Sequence, residues 1–203
     1  MQVLNIGQKL SIFFPKNNNV VEMVCSIAEI MSDRIVVNLP QYFMRYIEFL
    51  DVGCQLTVKV FSKVGTLDFN TVVLSSPAEE EFSIELDYNA IKLTPNEDIP
   101  VINAVETLNI SLNGESFKVK TFEISTEFMK FYSDTEFKEN SVLDCSLILP
   151  KNYGIINFRA TLKEVDPIYE NEYTIFDFCM TEENRQALLY YMYVYTSNTD
   201  WDE

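Results

Sequence analysis

The chain has 203 residues, of which 15 are Lys or Arg and 31 are Asp or Glu, so its formal net charge is −16, and it contains no histidine. This balance makes a poor nucleic-acid binder, because such affinity begins with cations on phosphates, and it suits anionic lipid surfaces no better. Without histidine there is no Ser-His-Asp or Cys-His nucleophile and no ordinary zinc site, which leaves carboxylates, Lys, Tyr or Cys as conceivable catalytic groups.

In chain order, Gln8 to Phe14 begins an alternating run that meets Pro15 and the turn Asn17-Asn18-Asn19. Val20 to Ile30 resumes a β-rich run, and Arg34 to Leu39 stops at Pro40. Gln41 to Leu50, where Phe43, Tyr46, Ile47 and Leu50 cluster, reads as a short helical stretch. After Gly53, the residues Leu56, Val58 and Val60 recur at period two; after Gly65, so do Leu67, Phe69, Thr71 and Val73. The spacing predicts a hairpin with one buried face. Ser75 to Glu81 is a polar turn and Phe82 to Leu86 a further strand. From Tyr88 to Pro100 the chain has two prolines and little periodicity, and the domain junction is expected there, giving domains 1–89 and 90–203. Charge divides unequally: residues 1–90 hold 6 basic and 11 acidic groups (−5), and residues 91–203 hold 9 and 20 (−11).

The second half echoes the first. Leu143, Cys145 and Leu147 repeat Leu56, Val58 and Val60 at a shift of 87, and Gly154, Ile156, Phe158, Ala160 and Leu162 repeat Gly65, Leu67, Phe69, Thr71 and Val73 at a shift of 89. The two extra residues fall in the turn, where insertion disturbs least. The fold class expected is mostly β, two small β-barrels in tandem, closed by one C-terminal helix. Thr181 is placed to cap that helix, Glu182 and Glu183 suit its positive end, and Leu188, Tyr191, Met192 and Tyr195 share a face. The aromatic stripe is wider than one buried face needs. It either packs across the mouth of the second barrel or anchors a partner protein, and Tyr190, Tyr193 and Trp201 are the candidates for the second role.

With 47% hydrophobic and 13% aromatic residues the chain fills real cores. Its five glycines make no G-x-G-x-x-G or G-x-x-x-x-G-K loop. Cys25, Cys54, Cys145 and Cys179 stand far apart in apolar runs with no C-x-x-C, and are expected as buried reduced thiols. The opening MQVLNIGQKL lacks signal-peptide regions and no apolar run approaches ~20 residues. A cytoplasmic protein with no membrane insertion is expected.

Across the run from Ile6-Gly7-Gln8-Lys9-Leu10 through Asn38-Leu39-Pro40, Asp51-Val52-Gly53 and Gly65-Thr66-Leu67-Asp68-Phe69-Asn70-Thr71, the first half resembles the N-terminal barrel of the YcgR-like flagellar brake proteins. The second half resembles the PilZ domain that follows it, through Phe122-Glu123-Ile124-Ser125, Leu147-Ile148-Leu149-Pro150, Ile156-Asn157-Phe158-Arg159-Ala160 and Phe176-Asp177-Phe178. The resemblance implies two motifs that grip cyclic di-GMP. One is R-x-x-x-R at the junction, whose guanidinium groups fork onto phosphate. The other is [D/N]-x-S-x-x-G on the barrel, whose glycine admits a guanine close to the backbone.

Both motifs are altered here. The arginines are Arg34, Arg45, Arg159 and Arg185, none of them in the junction, which reads Lys92-Leu93-Thr94-Pro95-Asn96-Glu97-Asp98-Ile99-Pro100. The second motif aligns with Glu123-Ile124-Ser125-Thr126-Glu127-Phe128, where Ser125 matches, Glu123 is a methylene too long and Phe128 stands where glycine belongs. A hydrogen bond to a charged group contributes about 1.5–3 kcal/mol. Losing two arginines therefore costs roughly 3–6 kcal/mol, about two to four decades in affinity. Glu97 and Asp98 add repulsion toward a dianion.

The expected function is thus a non-enzymatic PilZ-type adaptor that has lost the usual cyclic di-GMP motifs and uses no cofactor. The resemblance implies partners in the flagellar motor or the type IV pilus machinery, which an acidic surface would reach through basic patches. The alternative is an effector that binds cyclic di-GMP through other contacts, for which Lys118, Lys120 and Lys130 are the nearby cations; they alternate with apolar residues and read first as a solvated strand face, and Lys92 reads as a solvated linker lysine rather than a lone phosphate contact. A carboxylate hydrolase is the third reading. The acids at Glu79-Glu80-Glu81, Asp134/Glu136 and Asp200/Asp202/Glu203 sit in turns, a linker and the tail rather than in a cleft, and they lack the D-x-D-x-D-G calcium pattern.

Overall fold

The computed structural model describes residues 4–16, 19–77, 82–88, 91–98, 101–150, 153–165 and 171–199. The expected junction at 89/90, the acids Glu79 to Glu81, and the tail residues Asp200, Trp201, Asp202 and Glu203 lie outside them. The chain divides into two compact units, residues 2–94 and 95–203.

The first unit contains strands β1 (Lys9–Lys16), β2 (Asn19–Ile30), β3 (Arg34–Asn38), β4 (Gln55–Phe61), β5 (Gly65–Val72), β6 (Ser83–Asp87) and β7 (Lys92–Pro95). They form one curled sheet in the order β6-β3-β2-β1-β4-β5-β7. Period-two alternation decides which side is inside: Leu56, Val58 and Val60 of β4 and Leu67 and Phe69 of β5 are buried, and their neighbours face outward. Each such side chain contributes about 1.5–3 kcal/mol by leaving water, so a charge at Val58 would undo the hairpin. The strand expected to stop at Pro15 runs through it to Lys16. β1 pairs with β4 only from Ser11 to Phe13, so at Pro15 it has β2 alone as a neighbour and the missing N–H breaks no ladder on the far side.

Gln41–Phe49 is a 3-10 helix that starts after Pro40, with Phe43 N–H donating to Pro40 C=O at 2.9 Å. Nearby, the Phe49 ring stacks on Phe14 at 4.9 Å. β7 falls in the stretch that showed no periodicity. Four residues ending in proline are too short to alternate visibly, and only Leu93 is buried.

The second unit contains β8 (Thr107–Leu112), β9 (Glu115–Ile124), β10 (Met129–Tyr132), β11 (Val142–Ile148), β12 (Ile155–Val165), β13 (Glu172–Cys179) and helix α1 (Glu182–Thr199). Its strands close a barrel in the order β10-β13-β12-β11-β8-β9. Substituting β8 to β13 for β1 to β6 reproduces the strand order of the first unit, so the two units share one six-strand topology. The echoing hairpins agree residue by residue. Leu56↔Thr71, Val58↔Phe69 and Val60↔Leu67 in the first correspond to Leu143↔Ala160, Cys145↔Phe158 and Leu147↔Ile156 in the second. The units differ at one seam. β12 and β13 pair along their length, whereas the corresponding seam of the first unit has the bridge Val73↔Leu86 with hydrogen bonds from Leu74 N–H to Glu85 C=O and from Thr71 Oγ1 to Asp87 C=O beside it, while β7 takes the neighbouring place beside β5.

Thr181 caps α1 as expected: its Oγ1 accepts from Asn184 N–H at 3.3 Å and its C=O accepts from Arg185 N–H. Cys25 and Cys145 are buried, but Cys54 is half-buried and Cys179 is exposed, contrary to the expectation for all four. Cys179 lies opposite Arg159 at the end of β13, on the outer face, and Cys54 ends the turn that leads into β4.

Candidate functional site

The expected ligand position lies in the turn that joins β9 to β10. Ser125 is 1% exposed, and its Oγ accepts from the N–H groups of Glu127 and Phe128, both at 3.0 Å. Ser125 N–H in turn donates to Phe128 C=O at 2.9 Å. The serine therefore serves its own turn, in the manner of Ser side chains that compete for local backbone groups. Phe128 is half-buried and its ring lies 5.9 Å from Phe176, so an aromatic contact occupies the place where glycine would leave an opening.

Glu123, two residues upstream, is bound to Lys130. The Lys130 Nζ lies 3.1 Å from Glu123 Oε2 and 3.7 Å from Glu172 Oε1, one cation bridging strands β9, β10 and β13. The hydrogen bond to Glu123 holds the ammonium above its ordinary 10.5, partial burial acts against it, and the field of both carboxylates adds to it. The first unit repeats the device. Arg34 on β3 pairs at 2.9 Å with Glu85 on β6, one diagonal step along the ladder, and Lys130 on β10 reaches Glu172 on β13 by the same diagonal. Each pair ties neighbouring strands within its own unit, and Lys130 is committed to Glu123 and Glu172.

Of the other cations, Lys163 lies over the Phe176 ring, with its Nζ 5.2 Å from the ring centroid. Arg159 is paired with Asp144 at 3.0 Å and Arg185 with Glu182 at 3.9 Å. Lys120 donates from Nζ to Thr107 Oγ1 at 2.8 Å. Lys118 points outward from β9 and Lys92 outward from β7. The structure thus brings Glu123, Ser125 and Phe128 together at one turn, while Lys118 and Lys120 lie further back along β9, opposite Asn109 and Thr107 of β8, and Lys92 belongs to the other unit. Asp134 and Glu136 are exposed, and no group of three metal-ligating side chains occurs among the described residues. No helix of the described residues is long and apolar enough to cross a membrane.

Of the tail aromatics expected at a partner surface, Tyr193 is fully buried at 0% exposure and offers no surface to a partner. The buried residues Leu188, Leu189, Tyr191, Met192 and Tyr193 sweep roughly 200° of the helix at about 100° per residue, so Tyr193 falls inside the packed arc. Tyr190 is half-buried. Two interactions escaped the sequence reading: the Lys130–Glu172 pair, 42 positions apart, and a 2.6 Å hydrogen bond from Tyr191 Oη to Glu106 Oε1. Alternation put Lys130 on an outer face, yet nothing in the sequence named the strand beside it.

The fold is thus two units of shared topology, one a curled sheet and the other a closed barrel with a terminal helix. Residues 5–88 match the family model described as Flagellar protein YcgR, a stretch that covers most of the first unit. No curated protein matches it. Among solved structures, similarity is found to the Bacillus subtilis inhibitor of motility MotI/DgrA, with 16% identity, 98% of this chain and 100% of that chain covered, and a TM-score of 0.44. Escherichia coli YcgR in complex with c-di-GMP gives 11%, 97%, 87% and 0.46, and Borreliella burgdorferi PlzA in complex with c-di-GMP gives 10%, 92%, 88% and 0.39.

Proposed function

We propose that the chain is a non-enzymatic regulatory adaptor of bacterial motility whose second domain, residues 90–203, is a PilZ domain that no longer takes cyclic di-GMP at the usual position. The match of residues 5–88 to the flagellar family supports the motility setting. The observation that carries the loss of ligand is the β9–β10 turn, where Glu123 is bound to Lys130, Ser125 Oγ is filled by two backbone donors and Phe128 packs on Phe176. A guanine arriving there would have to displace an ion pair and an aromatic contact without a pair of arginines to repay the cost. The adaptor acts in the cytoplasm on flagellar-motor or type IV pilus components, with Tyr190 and Trp201 at the contact.

Calorimetry with cyclic di-GMP at up to about 100 μM is expected to show no binding heat. A Kd in the micromolar range or below would sink the proposal and favour an effector that grips the nucleotide through other contacts. Glu123→Asp combined with Phe128→Gly is expected not to restore binding, because the junction still lacks its arginines.

A further inference from the structure

Outward-facing residues of β8, β11 and β12 line up across the second barrel. Asn109 stands beside Ser146, and Ser146 beside Asn157; one outward step along, Ser111 stands beside Asp144, and Asp144 beside Arg159. Serine and asparagine are too short to cover the backbone beneath them, where Cys145 and Phe158 turn their buried side chains into the barrel. Longer neighbours rise around the gap, with Ile148 and Ile155 at the next outward step of the ladder and Arg159 at the other end. The result is a depression of about 440 Å³, within the size range of small-molecule sites.

Its lining is rich in hydrogen-bond donors. Arg159 is held by Asp144, which accepts from Nε at 3.0 Å, so the terminal amino groups of the guanidinium remain for a second acceptor. Asn157 Oδ1 accepts from Ser146 Oγ at 2.7 Å, which leaves Nδ2 to donate, and Asn109 brings a second carboxamide. Asn184 Nδ2 donates to Asn157 C=O at 2.8 Å and so ties this strand to α1. Lys118 stands opposite Asn109 on β9. Asp144 is the one carboxylate among the described residues that line the depression. With Arg159 and Lys118 against that single acid, the place is locally cationic in a chain of net charge −16. Distant acids weigh less on it, since the Debye length is about 8 Å at physiological salt.

We propose that this depression binds the oxyanion of a small hydroxylated molecule, a phosphate ester or a carboxylate. Arg159 forks onto the anion while Asp144 holds the guanidinium in place, and Asn109, Ser146 and Asn157 take the hydroxyls of the body. The site lies on strands other than those of the β9–β10 turn, so it does not depend on the loss of cyclic di-GMP binding there.

An amide NMR titration of the full chain in about 0.15 M NaCl, with glucose 6-phosphate, gluconate and glucose as probes, tests it. At least one of the two anions is expected to shift the Asn109, Cys145, Asn157 and Arg159 amides saturably, with a Kd of about 1 mM or below, and the tighter of the two tells phosphate from carboxylate. Arg159→Gln is expected to weaken that binding about 10-fold or more. Arg159→Lys keeps the charge without the fork and is expected to recover only part of it. Lys9→Gln, which removes a charge from the first unit, is expected to leave the Kd unchanged. The site is overturned if neither anion saturates those amides below about 10 mM, or if glucose binds as tightly as the anions. Undiminished binding by Arg159→Gln, or an equal loss in Lys9→Gln, overturns it as well.

Discussion

Lys130 sits between two carboxylates, with its own side chain and that of Glu123 31% and 29% exposed and that of Glu172 12% exposed. Pairs so placed are screened, and Lys130→Met is expected to cost about 0.5–1 kcal/mol, a fall of about 2–4 °C in Tm at most. Its ammonium is held above the unfolded value of 10.5. The contribution is therefore fully present below that pH and vanishes as pH rises through the raised value. Urea unfolding of parent and variant is expected to differ at about pH 8 and to converge once the pH has risen well above 10.5. A gap that persists at the alkaline end would show that the lysine acts through its stem alone. The cysteines make a second test at this scale. Burial pushes the Cys25 and Cys145 thiols up to about 12, and the thiolate is the reactive form. Thiol titration near pH 8 is expected to label exposed Cys179 first and half-buried Cys54 more slowly, with Cys25 and Cys145 reacting only in denaturant. Four equal rates would contradict the burial described.

Among the elements, α1 has the most to lose from one atom. Thr181 Oγ1 satisfies one first-turn amide, and Glu182 and Glu183 lie at the positive end of the helix. Thr181→Ala is expected to cost about 1 kcal/mol and to speed exchange at Asn184 before any strand amide responds; thermal melts and exchange together check this. The strands were legible because period-two alternation is written in the residues themselves, as in Leu56, Val58 and Val60. β7 was not, because its four residues hold a single buried side chain, Leu93, and its place depends on an edge that β5 offers. The 3-10 geometry of Gln41–Phe49 was equally hidden, since the cluster of Phe43, Tyr46 and Ile47 suits either helix type.

For the whole molecule, a net charge of −16 makes self-repulsion a standing cost of the compact state. Salt relieves it with a Debye length near 10 Å at 0.1 M, while the surface ion pairs give up less than about 1 kcal/mol each. The Tm is therefore expected to rise between about 20 mM and 300 mM NaCl. A fall over that range, read by calorimetry or circular dichroism, would mean that ion pairing outweighs repulsion. The shared topology of the two units was partly visible too: the hairpin echo at shifts of 87 and 89 marked corresponding strands, and the ladders match it pair by pair.

The residues alone determined the strand rhythm, the hairpin repeat, the helix cap and the absence of a motif able to fork onto a phosphate, because each of these is a matter of local periodicity or of residue type. Tertiary structure decided the rest. It closed one barrel and left the other unit a curled sheet, committed Lys130 to Glu123 and Glu172, turned Tyr193 inward, and set Tyr191 against Glu106. Each of those outcomes depends on which distant strand or helix becomes a neighbour, and the side chains concerned are compatible with more than one neighbour until the chain has folded.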